Sequence, residues 1–327
     1  MTLIGLLLIV VLVTACAPAV EEPAPVDEPA PVEEPVADEI PYVPMISMGY
    51  QHAYWLAVEL GAERAAEKYG VRITYEGPET ETQVDRQMDM LQAAIDRDPD
   101  AICLAALDSR AAIPLLEQAQ SRGIPVVNFD TTVDSDIPVS TAATDNRAAA
   151  AYAADMMAEL IGGSGEVAII GHSQTDKTGV DRVGGFRDRI ESEYPEITIV
   201  DIQYGDGDHL RSTDLAKAII LANPDLKGLF GSNEGSAVGL INAVTELGRD
   251  DLVLIGYDSG QQQLDAIRSG LMAGAISQDP IGIGYQCVWA ANKAIQGEEV
   301  PEFIDTGFYW YTAENMDDPD VQAVLYE

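Results

Sequence analysis

"VPMISMGYQHAYWLAVELGAERAAEKYG", residues 43–70, decides how the rest of the chain is read. It opens on a short apolar run, residues 43–47, with no polar alternation, as a strand covered on both faces has. Val58, Gly61, Ala62, Ala65 and Tyr69 then recur at helical spacing, with Glu59, Glu63, Arg64 and Lys68 on the opposite face. The small residues predict a helix lying close against a sheet. The junction between strand and helix carries four rings (Tyr50, His52, Tyr54, Trp55), in a chain that is only 6% aromatic. A loop that displays rings usually has something flat to hold.

The same unit repeats outward. Further apolar runs at 72–76, 101–104, 125–129, 166–170, 198–203, 228–230, 253–256 and 273–277 read as strands. Helical patterns lie at 54–69, 82–96, 111–121, 146–160, 179–193, 211–222, 236–247, 261–268 and 282–295. Such alternation predicts parallel sheets with helices on both faces. Nine strands and nine helices exceed one compact sheet, so the expected fold is α/β, with two similar doubly wound parallel-sheet lobes. "ATDN", residues 143–146, reads as a crossover: a short strand ends, and Asp145–Asn146 caps a new helix.

Ahead of this body, Leu3 to Val13 form an apolar run too short to span a bilayer and suited to a signal peptide, residues 1–15. It ends in "VTAC", which resembles a lipobox and makes Cys16 the expected lipidation site, although no Lys or Arg precedes the run. An ordinary cleaved signal with an incidental cysteine is the plainer alternative. Residues 16–41, rich in Pro, Ala, Val and acids, read as an extended tether. Lipid and leash together would hold a soluble body at a membrane surface.

Against 18 basic residues stand 55 acidic ones, a formal net charge of −37. Nucleic acid, anionic headgroups and polyanionic substrates would be repelled. Cys103 and Cys287 sit inside apolar runs and read as small hydrophobes, with no CxxC to imply metal or redox chemistry. A disulfide between them would need a proximity that sequence does not reveal.

In open α/β folds ligands bind beyond the carboxyl ends of strands. Those ends carry, in order, "GYQHAYW"; "NFDTT" with Asp130; the polar loop "GHSQTDKTGVDRVGGF", taken to end at Arg182; "GSNEGS" with Asn233; "GYDSG" with Asp258; and "QDP" with Gln278. Planar polar groups pair with neighbouring sugar hydroxyls, and rings cover the C–H faces of a sugar. Each residue also has a blander use. Asp130, Asp258 and Asn233 would serve as helix caps, and Arg182 as a surface ion-pair partner. Tyr54 shares its helical face with Val58, Gly61 and Ala65 and so fits the core; Trp55, on the flank toward Glu59, has the better claim to a ligand. The coincidence of six such loops on one side favours a carbohydrate site.

Tyr54–Trp55, "VVNFD" (126–130), "TAATDN" (141–146), "DRVGGF" (181–186), "LFGSNEGSAVG" (229–239), "LIGYDSG" (254–260) and "GAISQDPIGIG" (274–284) occur in an order that resembles the type I periplasmic sugar-binding proteins of ribose/galactose type, the receptors of ABC importers. The resemblance covers residues 42–311. It implies two lobes joined by crossover hinge strands: residues 42–144 with 279–307 as the N-terminal lobe, and 145–278 with 308–327 as the C-terminal lobe. By motif it implies stacking rings at Tyr54 and Trp55, a polar contact at His52, and hydroxyl-binding groups at Asp130, Arg182, Asn233, Asp258 and Gln278. It further implies a monomer outside the cytoplasm with a monosaccharide or small carbohydrate ligand, an ABC permease partner, and no cofactor, metal or catalytic residue. Two departures bear on which sugar is held. Thr131 follows Asp130 where the family often has Arg. The family's aromatic from the second lobe has no match in "YGDGDHLRS", where His209 or Asp208 would substitute.

Other classes fit less well. "GHSQT" lacks the last glycine of a nucleophile elbow, "GDGDHL" and "GIGYQC" lack the third glycine of a dinucleotide loop, and three histidines leave little general-base chemistry. A sugar-responsive repressor would carry a helix-turn-helix where the signal and tether stand. A chemotaxis or sensor receptor for sugar, or a receptor for autoinducer-2, an amino acid or another polar metabolite, shares the expected architecture. For amino acids only Arg182 stands ready for an α-carboxylate.

Overall fold

The structure is a computed structural model that describes Leu12 and residues 40–326. Apart from Leu12, the expected signal peptide lies outside the described residues, as do Cys16 and all but the end of the tether. Among those described, no helix is long and apolar enough to cross a membrane. In chain order the first elements are β1 (Tyr42–Ile46), α1 (Ala53–Tyr69), β2 (Arg72–Glu76), α2 (Val84–Asp96), β3 (Ile102–Leu104), α3 (Ile113–Ser121), β4 (Val126–Phe129) and β5 (Ser140–Ala143). Next come α4 (Asn146–Leu160), β6 (Gly165–Gly171), α5 (Lys177–Glu193), β7 (Ile197–Tyr204), α6 (His209–Ala222), β8 (Leu226–Gly231) and α7 (Glu234–Leu247). The chain continues with β9 (Val253–Tyr257), α8 (Gln261–Arg268), β10 (Gly274–Gln278), α9 (Pro280–Ile295), β11 (Phe303–Asp305), β12 (Phe308–Tyr311) and α10 (Pro319–Gln322).

Two six-stranded sheets result, ordered β11-β5-β4-β3-β1-β2 and β12-β10-β9-β8-β6-β7. Each belongs to one α/β lobe, and the chain passes from one sheet to the other after β5, β10 and β11. The uninterrupted apolar strands follow from burial on both faces. In the first lobe Val43, Met45 and Val127 pack toward α1 and α9, while Ile46, Leu104 and Val126 pack toward α2 and α3. In the second, Ile170, Leu229 and Leu254 meet α6, α7 and α8, and Ile169, Phe230 and Ile255 meet α4 and α5.

Several expectations change. β12 runs antiparallel to β10, so the second sheet is not wholly parallel. The short edge strands β11 and β12 follow one another with no helix between, which hid them from a pattern built on alternation. The close approach of α1 is to α9 rather than to the sheet: a Cβ on Gly61 would stand 2.0 Å from the Ile281 carbonyl oxygen, and one on Gly284 would stand 2.0 Å from that of Val58. Cys103 and Cys287 are not free thiols but a disulfide, because the α9-facing side of β3 brings both buried sulfurs together across 184 residues of sequence.

Candidate functional site

All eight residues singled out at the strand ends line one cavity between the lobes, about 310 Å³ of empty space. His52, Tyr54, Trp55 and Asp130 reach it from the first lobe, and Arg182, Asn233, Asp258 and Gln278 from the second. Met48, Glu81, His172 and Thr178 complete the lining.

The two aspartates occupy equivalent positions and share a backbone device. Asp130 follows β4 with φ of 63°, and Asp258 follows β9 with φ of 72°. Non-glycine residues adopt this left-handed conformation rarely, Asp more readily than most, and it costs of the order of 1 kcal/mol. Each backbone N–H still finds the sheet: Asp130 donates to Ala142 O (2.9 Å) and Asp258 to Ile276 O (2.6 Å). Neither caps its own following helix. The strain turns each carboxylate off the strand end and into the cleft.

Around Asp258 the carboxylate is fixed from three sides. Its Oδ1 accepts from Gln278 Nε2 (2.7 Å), its Oδ2 accepts from the Glu234 amide at the start of α7 (3.1 Å), and Arg182 Nη1 lies 3.7 Å away. Gln278 Oε1 stays buried without a partner. Arg182 is not in a loop: α5 begins at Lys177, capped by Asp176, so Arg182 projects from its second turn. It donates from Nε to Asn146 Oδ1 (2.7 Å) and from Nη1 to Ser232 O (3.0 Å), and its guanidinium stacks over the Tyr257 ring at 3.8 Å. Burial opposes its charge, but Tyr257, Asp258 and Asp130 more than compensate and hold its pKa above the ordinary value. Asn233 does cap α7, its Oδ1 accepting from Ser236 N (2.9 Å), which leaves its Nδ2 free of that task.

On the opposite wall Tyr54 serves the core and the cavity at once. It packs in the first lobe's apolar cluster while its hydroxyl donates to Asp130 Oδ1 (2.5 Å). Burial pushes Asp130 up to about 7, against the pull of Arg182 and the Tyr54 hydroxyl. Trp55 is as buried as Tyr54 and stands edge-on to it, centroids 5.0 Å apart, with Nε1 donating to Glu81 Oε1 (3.0 Å). His52 precedes α1 and accepts at Nε2 from Gln51 Nε2 (2.8 Å). Tyr50 stays half exposed outside the cavity, its hydroxyl donating to Tyr75 O.

Two residues missed at the strand ends matter. His172, in the "GHSQT" loop after β6, pairs through Nδ1 with Ser232 Oγ (2.7 Å) and donates from Nε2 to Thr178 Oγ1 (3.2 Å), whose own proton goes to Asp176. It supplies the second lobe's ring; His209 is exposed and Asp208 caps α6, so neither of those candidates reaches the cavity. Glu81 comes from the loop after β2, one of three strand ends left out of the inventory; including it would have found this residue. Thr131 is buried behind the cavity lining with its Oγ1 unpartnered. Among the described residues no cluster of three or more His, Cys, Asp or Glu could hold a metal.

The assembled wall therefore offers rings edge and face, one guanidinium, and acceptors in excess: Asp130, Asp258, Glu81 and the orphaned Gln278 oxygen. It matches a molecule that brings hydroxyl donors to a rigid frame.

Known proteins with this organisation are recognisable. A family profile described as a periplasmic binding protein domain matches residues 43–299. The D-ribose/D-allose-binding protein of Pseudomonas aeruginosa is 27% identical over 268 residues, covering 79% of this chain and 80% of that protein. An ABC transporter solute-binding protein from Agrobacterium vitis, solved with bound D-fucose, superposes with a TM-score of 0.84 at 32% identity, covering 87% of this chain and all of that one. A second from Agrobacterium vitis, bound with α-D-tagatopyranose, gives 0.85 at 30% identity over 88% of this chain and 99% of that one. With this match over most of its length, two parallel-stranded α/β lobes and a cavity between them, the chain belongs to the type I periplasmic binding proteins.

Proposed function

We propose that this protein is an extracytoplasmic receptor that captures a neutral sugar between its lobes and delivers it to an ABC importer. The observation that carries the reading is the pairing, in one interlobe cavity, of the rings of His52, Tyr54, Trp55 and His172 with the fixed array of Asp130, Arg182, Asn233, Asp258 and Gln278. The solved relatives that hold D-fucose and α-D-tagatopyranose support it. Hydroxyls of the ligand would lie between Asp130 and Asp258, with Arg182 balancing the two carboxylates and Gln278 Oε1 gaining the donor it lacks. Residues 42–144 with 279–307, and 145–278 with 308–327, are the two bodies that hinge closure would bring together. Cleavage ahead of Cys16 and its lipidation would tether the receptor, as a monomer, to the membrane that carries the permease.

A thermal-shift screen across pentoses, hexoses, polyols and amino acids tests this. A ligand at about a hundredfold above its Kd adds about 2.7 kcal/mol to stability, an easily read rise in Tm. At least one carbohydrate is expected to give it. Stabilisation by another class and by no carbohydrate would overturn the reading.

A further inference from the structure

The inner cavity is not closed at its end toward Met48, Glu81 and His172. These three residues also border a second, larger space of about 580 Å³ between the lobes, which the single-sugar reading leaves unused. Its lining runs from Leu107 and Thr175 to Glu81 and Asp206. The lobes touch directly beside both ends: Ser109 N donates to Thr175 O (3.0 Å), and Gln51 Nε2 donates to Gly207 O (3.1 Å). Interlobe contacts thus flank the outer space.

Its two walls differ in chemistry. The first lobe contributes Met48, Val84 and Leu107 together with Glu81 and Thr82; the second is polar throughout, with His172, Ser173, Thr175, Asp176 and Asp206. Asp176 is fully buried, and its Oδ1 is committed to Thr178 Oγ1 (2.5 Å) and Gly179 N (2.7 Å). Its Oδ2 has no partner. Burial disfavours its charge, but His172 and hydrogen bonds from Ser173 and Thr178 hold its pKa below the ordinary carboxylate range. A charged, buried acceptor left unpaired is costly unless something supplies a donor. Apolar side chains set among polar ones on one wall, facing a polar wall with an unpartnered acceptor, suit a second sugar ring, since such a ring has a C–H face and hydroxyl edges.

We infer that the cleft takes a disaccharide, one ring in the inner cavity and the second in the outer chamber between Met48, Val84 and Leu107 on one side and Ser173 and Asp176 on the other. This rests on the sugar-receptor reading and narrows its ligand class. Isothermal titration of the whole protein with glucose, galactose and xylose, against maltose, isomaltose, cellobiose, lactose, melibiose and xylobiose, tests it. At least one disaccharide is expected to bind about tenfold or more tighter than its parent monosaccharide. Thr82 is exposed at the chamber's edge and outside the inner cavity. Thr82→Trp is expected to fill the chamber and abolish that gain, leaving monosaccharide affinity within about threefold. Monosaccharide binding with no disaccharide gain, or a gain that survives in Thr82→Trp, overturns the disaccharide inference and leaves the receptor reading standing. Binding of no sugar at all overturns both.

Discussion

Glu234 offers a direct test of whether the lobes close by a proton-linked contact. It is the first residue of α7 in the second lobe, with its Oε2 buried and unpartnered. Burial first, then Asp258 and Glu81, push its carboxyl up to about 8, while the backbone N–H groups of Tyr54 and Ala53 pull it back. Those two amides open α1 in the opposite lobe, and His52, the residue before that helix, gives it no side-chain cap. A helix N-terminus carries partial positive charge and unsatisfied donors, so a carboxyl from across the cleft is well placed there. With the lobes apart, the group returns toward its ordinary value of 4.5. The closed state has the raised pKa. Its advantage from this group is therefore complete below about pH 4.5 and lost as pH rises through about 8. At about 1.4 kcal/mol per pH unit, that gap sets a ceiling of about 5 kcal/mol. Asp258 stays beside Glu234 when the lobes part and keeps some of the penalty, leaving about 1.4–3 kcal/mol for closure, or ten- to a hundredfold in affinity. Titration calorimetry with a sugar found by the screen, at about pH 5.5 and about pH 9, should show affinity falling with pH in the wild type and falling by at least about tenfold less in Glu234→Gln. Every other ionisable group is common to both proteins, so the difference isolates Glu234. Equal pH dependence in the two would refute the reasoning.

Further outcomes follow from the same geometry. Asp258→Ala removes the acceptor for Gln278 and the Glu234 amide and should weaken ligand affinity by about 1.5–3 kcal/mol, with circular dichroism unchanged. Trp55→Ala should also weaken it severalfold or more; calorimetry showing both variants at wild-type affinity would mean the wrong loops were chosen. Reducing Cys103–Cys287 should cost about 2–4 kcal/mol, a fall in Tm of about 5–10 °C by differential scanning calorimetry, with no such response in a Cys103→Ala, Cys287→Ala double variant. Gly61→Ala raises intrinsic helix propensity by about 1 kcal/mol yet should destabilise, because the methyl meets the Ile281 carbonyl; urea unfolding showing a net gain would mean α1 and α9 have room to separate.

The sequence by itself determined the architecture and named a candidate site. Doubly buried strands must be apolar throughout and helices against them must repeat every three to four residues, so periodicity reached two lobes, while the residues at strand ends and the family resemblance together named the eight candidates. Whether Tyr54 faced core or ligand was not decidable from spacing, because its ring lies in the core while its hydroxyl reaches Asp130. The left-handed turns that aim Asp130 and Asp258, the choice of His172 over His209, and the disulfide all depend on distances between segments far apart in the chain. Those distances are set by how α9 returns to the first sheet and how the lobes face one another, which is a property of packing that no local pattern carries.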